Sequence, residues 1–131
     1  MPFLEVNDFP GADGRAPVAR AEAARHMTAV LARCWGIDPA IISCYFQLSP
    51  ADAYAHAGEM PAPADTRRIF VKLHAIARTA DMRRMAAAAV TRAAAQSYDV
   101  PEKAVVIYFF ERTVSEIAHG GVLEGGTSHM T

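Results

Sequence analysis

A proline follows the initiator methionine, and its nitrogen is the first atom in the sequence with a distinctive chemistry. If Met1 is removed, Pro2 carries a free secondary amine. An ordinary α-amino group titrates at about 7.7–8.0. Burial among apolar groups disfavours its cationic form and lowers that value. Phe3, Tyr45, Phe46, Tyr108 and Phe109 are the residues expected to supply such surroundings. A neutral amine near pH 7 is a general base that can take a proton from beside a carbonyl and return it elsewhere. With Met1 retained the same nitrogen is an amide and has no such chemistry. The dipeptide alone is a weak sign, because proline at this place also promotes methionine removal and starts a strand edge harmlessly.

The cations are lopsided, with 11 Arg against 2 Lys. The guanidinium presents a rigid fork that matches carboxylates, which fits an acidic small molecule, although a genomic bias toward Arg and Ala produces the same count. Arg67, Arg68 and Lys72 form a basic stripe. A solvated face is its ordinary reading, with Arg68 and Lys72 as substrate-binding candidates. His119 can change charge near neutrality and handle a proton, though a hairpin histidine is more often a surface residue. His74, in mid-strand, reads as packed and hydrogen-bonded. Cys34 and Cys44 show neither zinc spacing nor a CxxC pair, so both read as reduced, mostly buried thiols of a cytoplasmic protein. The five His show no metal spacing. No metal site and no cofactor are expected.

The elements that must position these groups appear twice. Residues 2–6 form a short apolar strand, followed by a turn-rich stretch with Gly11 and Gly14. Helical spacing runs over 18–35, with Ala23, Met27, Val30 and Cys34 on one face and Gly36 as the stop. Residues 41–48 are rich in β-branched and aromatic types, a strand signature. A second strand–helix–strand set follows. It comprises 68–76, a helix capped by Thr79 with Asp81 in its first turn and a stripe of Met82, Ala86, Ala89 and Ala93, and the apolar run 104–111. The pairs Pro39/Pro101, Tyr45/Tyr108 and Phe46/Phe109 recur at spacings of 62, 63 and 63, an internal repeat.

The expected fold is α+β, with tandem β-α-β units forming a four-stranded sheet and two helices on one face. Each helical crossover makes its flanking strands parallel. The other sheet face is apolar and needs a cover, most simply other copies of the chain. One domain over 1–131 is expected: a first repeat at 1–48, a connection at 49–66 long enough to help shape a site, a second repeat with its hairpin at 67–123, and a flexible tail at 124–131. The 131 residues and 52% apolar content support such a core. A net charge of −1 gives no reason to expect nucleic acid or an acidic membrane as partner. The start has no basic run before an apolar stretch, so it does not read as a signal peptide, and no apolar run is long enough to span a bilayer.

At this point the residues resemble the tautomerase superfamily in its fused, double-unit form. Four features carry the likeness: the proline after Met1, the doubled β-α-β unit, the runs RIFVKLHAIART (68–79) and DVPEKAVVIYFFE (99–111), and the glycine-containing IAHGGVL (117–123). Each half resembles the 4-oxalocrotonate tautomerase family, and the whole chain is similar to the cis-3-chloroacrylic acid dehalogenase family. The resemblance implies a homotrimer acting on a small carboxylate, with Pro2 as base at the bottom of a pocket. It places a carboxylate-holding arginine at Arg78, a pocket position at Ile117, and a hydrogen-bonding or water-positioning tyrosine at Tyr108. Arg68 stands where the single-unit family has its proline, so one site per chain is expected. Other motif positions depart. The second arginine of the first family falls at Val106, or near Ser43 or Cys44 in the first repeat, which disfavours diacid substrates. In the second family's pattern Ala75 replaces one of two arginines, His119 replaces a glutamate, and a histidine falls near Cys34, which disfavours dehalogenation. The implied activity is keto–enol tautomerisation. A decarboxylase or hydratase of a three-carbon acid, and a non-catalytic oligomeric binding module of the same fold, are the alternatives.

Overall fold

In the computed structural model, which describes residues 1–125, the chain runs through β1 (Phe3–Asp8), α1 (Arg20–Trp35), β2 (Ser43–Leu48), β3 (Ile69–Ile76), α2 (Ala80–Tyr98) and β4 (Val105–Arg112). It ends in a hairpin of β5 (Ala118–His119) and β6 (Val122–Leu123). Most of the expected tail, residues 126–131, lies outside the described residues. The hairpin turns at Gly120 and Gly121, with φ of 59° and 84°. Two consecutive positive φ values are what a tight two-residue hairpin loop requires, and glycine adopts them without strain.

The sheet order is β2-β1-β3-β4. β1 pairs with β2 and β3 with β4 in parallel, each across a helical crossover, as the repeat requires. The two units join through antiparallel β1 and β3, in a register that sets Phe3 opposite His74 and Asn7 opposite Phe70. This junction decides which residues meet. The start of the first repeat lies against the ends of β3 and β4.

Alternation sorts the sheet into two faces. Leu4, Val6, Ile69, Val71, Leu73, Ala75 and Val105 are buried beneath the helices. The buried line of α1 is Ala23, Met27, Leu31 and Trp35. Val30 and Cys34, expected on that stripe, pack only partly against the core. The Trp35 indole donates to the Met82 carbonyl at 3.0 Å, tying the end of α1 to the start of α2. In α2, Ala86, Val90, Ala93 and Ala94 are buried, and the small side chains let helix and sheet approach closely. Thr79 caps α2, its hydroxyl accepting from the Met82 N–H at 3.1 Å. α1 begins at Arg20 rather than 18, because Val18 is 99% exposed and has nothing to pack against. β2 begins at Ser43, because 39–41 close a 3-10 turn capped by Asp38.

One polar cluster is buried in this core. Asp8 is fully buried, and its carboxylate accepts from Arg20 Nε at 2.8 Å, Arg20 Nη2 at 2.7 Å and the Tyr98 hydroxyl at 2.7 Å. Burial first, then the Asp8 carboxylate, raises the Tyr98 hydroxyl above its ordinary pKa. The hydrogen bond to Asp8 is the main cause that raises Arg20. The opposite sheet face is open, and Tyr45, Tyr108 and Phe110 are exposed on it. No helix of the described residues is long and apolar enough to cross a membrane.

Candidate active site

Pro2 is buried at the mouth of β1, at the base of a cleft of about 620 Å³. The cleft follows from the antiparallel junction. The starts of β1 and β2 supply Met1, Pro2, Phe3, Ser43 and Tyr45. The ends of β3 and β4 supply His74, Ala75 and Arg112. The segment after β4 closes the far side with Glu116, Ile117 and His119, and Glu124 stands at the rim.

A row of rings crosses all four strands beside Pro2. Tyr45 stacks on Phe3 with centroids 5.7 Å apart, Phe3 on His74 at 4.2 Å, and His74 on Phe110 at 4.8 Å. Cross-strand neighbours on one face sit close enough for such stacking. His74 Nε2 is 3.1 Å from Glu5 Oε1, so this histidine is packed and hydrogen-bonded as its mid-strand position predicts, and it also lines the cleft. Phe46 and Phe109 belong to the opposite face and pack against the core, so they do not surround Pro2. The Met1 ammonium lies 4.0 Å from Glu124 Oε1.

The polar rim is acidic apart from one arginine and the histidines. Arg112 ends β4 opposite Ile76, with its Nη1 3.9 Å from Glu116 Oε2. The Glu116 carboxylate accepts from the Thr113 N–H at 2.9 Å and the Thr113 hydroxyl at 3.0 Å. The Thr113 N–H, and then its hydroxyl, hold that carboxyl below the usual range.

Of the residues singled out in the sequence, the structure gathers Pro2, Phe3, Tyr45, His74, Ile117 and His119 in this cleft. The others lie elsewhere in the chain. The Arg78 guanidinium lies over the Trp35 ring at 4.6 Å, and its Nη1 donates to the Ile76 carbonyl at 2.8 Å. Its backbone N–H donates to Glu111 at 3.0 Å, and this bond, followed by Arg83, holds the Glu111 carboxyl below the ordinary range. Tyr108 is exposed on the open sheet face, stacked with Phe70 at 6.2 Å, and Lys72 shares that face in register between Glu5 and Tyr108. Arg68 lines a separate cleft of about 460 Å³ with Arg67 and Lys103. Its guanidinium donates to the carbonyls of Asp65 and Arg67, at 3.2 and 3.0 Å. The connection 49–66 contributes Ala64 and Asp65 to that second cleft and nothing to the first. His74, Arg112 and Glu116 line the Pro2 cleft although the sequence assigned them no part in it, whereas Phe3 and Tyr45 stand there as expected. Strand alternation places Tyr45, His74 and Arg112 on one face, but only the strand order brings them together.

A tandem β-α-β chain with a cleft at the head of its first strand is a defined structural class, the tautomerase fold. No protein-family model and no curated protein matches the sequence. Solved structures of this fold match nearly the whole chain. A native fused 4-OT is 20% identical with a TM-score of 0.82, over 96% of this chain and 98% of that one. A fused 4-OT described as a symmetric trimer is 18% identical with a TM-score of 0.78, over 92% and 94%. A member of the cis-3-chloroacrylic acid dehalogenase family is 21% identical with a TM-score of 0.73, over 92% and 82%. The chain thus shares the fold of the tautomerase superfamily, including its fused-repeat architecture.

Proposed function

We propose that this chain is a keto–enol tautomerase of a small carboxylic acid, with Pro2 as the proton-transfer base once Met1 is removed. The observation that carries the reading is the position of Pro2, buried at the base of a cleft whose floor is a row of stacked rings. Met1, bonded to its nitrogen, lines the same cleft, so a terminus left at Pro2 by trimming Met1 would open the amine directly into that space. Burial away from water disfavours the ammonium, which is the condition a base needs near neutrality.

In the enol-to-keto direction the neutral amine accepts the enol O–H proton. The electron pair of that bond forms the C=O bond, and the C=C pair takes a proton at carbon from the prolinium. Amine and cleft are thereby restored. The chain is read as a homotrimer, because the sheet face opposite the helices is uncovered and matched structures include trimers. Within one chain Arg78 and Tyr108 stand outside the Pro2 cleft. The roles that the resemblance implies for them, holding the carboxylate and donating a hydrogen bond, are therefore not supplied to this cleft by their own chain.

Pro2→Ala is expected to lower turnover of phenylenolpyruvate by about a hundredfold or more, the scale of a lost general base. Intact mass of the same preparation reports Met1 removal. Undiminished turnover by Pro2→Ala, or a fully active protein that retains Met1, would rule out the amine. Halogenated acrylates and malonate semialdehyde in the same assay distinguish hydration and decarboxylation from tautomerisation.

A further inference from the structure

Resting on the proton-transfer reading above, we infer that Arg112 is the carboxylate anchor of the Pro2 cleft, and that the cleft takes a monocarboxylate with an apolar body. Among the described residues lining it, Arg112 is the sole arginine or lysine. Among the described residues its fork makes no hydrogen bond and only a long ion pair with Glu116. The Glu116 carboxylate stands 3.9 Å away, beyond hydrogen-bond distance, and Glu116 Oε1 is already engaged by the Thr113 N–H and hydroxyl. Other arginines near the sheet are committed. Arg78 is held by the Ile76 carbonyl and the Trp35 ring, and Arg20 by Asp8.

The backbone of Arg112 is fixed by the β3–β4 ladder, and its carbonyl accepts from the Ala77 N–H at 3.3 Å. A strand end therefore presents five donors to the cleft from a rigid base, and the loose Glu116 partner gives way to an incoming carboxylate. Lying across the stacked rings from that anchor, the rest of the substrate meets Phe3 and Tyr45, which suit an aryl or alkyl group. A second carboxylate would face Glu116 and Glu124 with no second arginine to hold it, so diacids are repelled.

The test is calorimetric titration of the full chain with three unreactive probes: hydrocinnamate, its amide, and phenylsuccinate. The native protein is expected to prefer the acid over the amide by about tenfold or more, the usual gain from a charge-assisted hydrogen bond. Arg112→Gln should abolish the preference while Arg78→Gln keeps it. Phenylsuccinate should bind the native protein more weakly than hydrocinnamate. Thermal melts by circular dichroism check that both variants fold. No acid preference in the native protein, a preference that survives Arg112→Gln, one that is lost in Arg78→Gln, or tighter binding of phenylsuccinate would each overturn the inference. Pro2→Ala in the same titration should keep the preference, because binding needs no base. Failure of the proton-transfer reading would instead appear in turnover, so the two can be told apart.

Discussion

Cys44 follows Ser43 on β2 and turns the other way, toward the helices, where it packs partly against the core. Burial raises its thiol from 9.0 to about 11. The thiolate is the reactive form, so at pH 8 Cys44 should react with iodoacetamide about a hundredfold more slowly than an ordinary thiol, because the shift is about two pKa units. Peptide mapping after timed labelling checks this, with the urea-unfolded chain as reference. Labelling of Cys44 at the same rate in folded and unfolded protein would contradict it. The sign of the pH effect on stability follows from the same shift. The folded state keeps the proton longer than the unfolded chain, so this contribution is whole below about 9 and is lost as pH rises through about 11. Thiol burial was legible in the sequence, since both cysteines lie among apolar residues without metal or redox spacing. Arg112 and His74 were not legible as site residues. Nothing local distinguishes an arginine at the end of one strand from an arginine on any turn until its neighbours are known.

Helices and strands were legible because their signals are local. A stripe at helical spacing, a threonine before a helix and a glycine after one each report on a few neighbouring residues. The limits of α1 and β2 moved by a few residues where a side chain found nothing to pack against or a 3-10 turn intervened. The Asp8–Arg20–Tyr98 cluster was not foreseen, because it joins β1, the first turn of α1 and the last turn of α2, elements far apart in sequence. It links the two repeats around one buried charge, so breaking it should be costly. Arg20→Ala strands the Asp8 carboxylate and is expected to destabilise the fold by about 3–5 kcal/mol. Tyr98→Phe removes one hydrogen bond to that charge and should cost about 1.5–3 kcal/mol. Urea denaturation measures both. A loss under about 1 kcal/mol for Arg20→Ala would mean that water reaches Asp8 and that the cluster is not buried in solution.

At the scale of the whole molecule the undecided surface is the sheet face opposite the helices. Two repeats supply two helices, enough to cover one face of four strands, and the other is left with Tyr45 exposed on one edge strand and Tyr108 and Phe110 on the other. Apolar exposure of this kind over a continuous sheet marks an interface more often than free surface. The uncovered face was legible from the repeat count and the strand composition. The antiparallel join that opens the Pro2 cleft at one end of that face was not, because two β-α-β units can be joined in more than one way. A homotrimer should sediment at three times the 14.1 kDa chain mass at micromolar concentration. Tyr108→Asp places a charge on the open face, distant from the helix-side core, and should shift the equilibrium toward single chains without unfolding them. If the partner protomers help to close the Pro2 cleft, turnover of an enol acid should fall with dilution of Tyr108→Asp in parallel with the fraction of trimer. A native chain that sediments at its own mass across this range, or a Tyr108→Asp chain that assembles as the native one does, would place the association surface elsewhere.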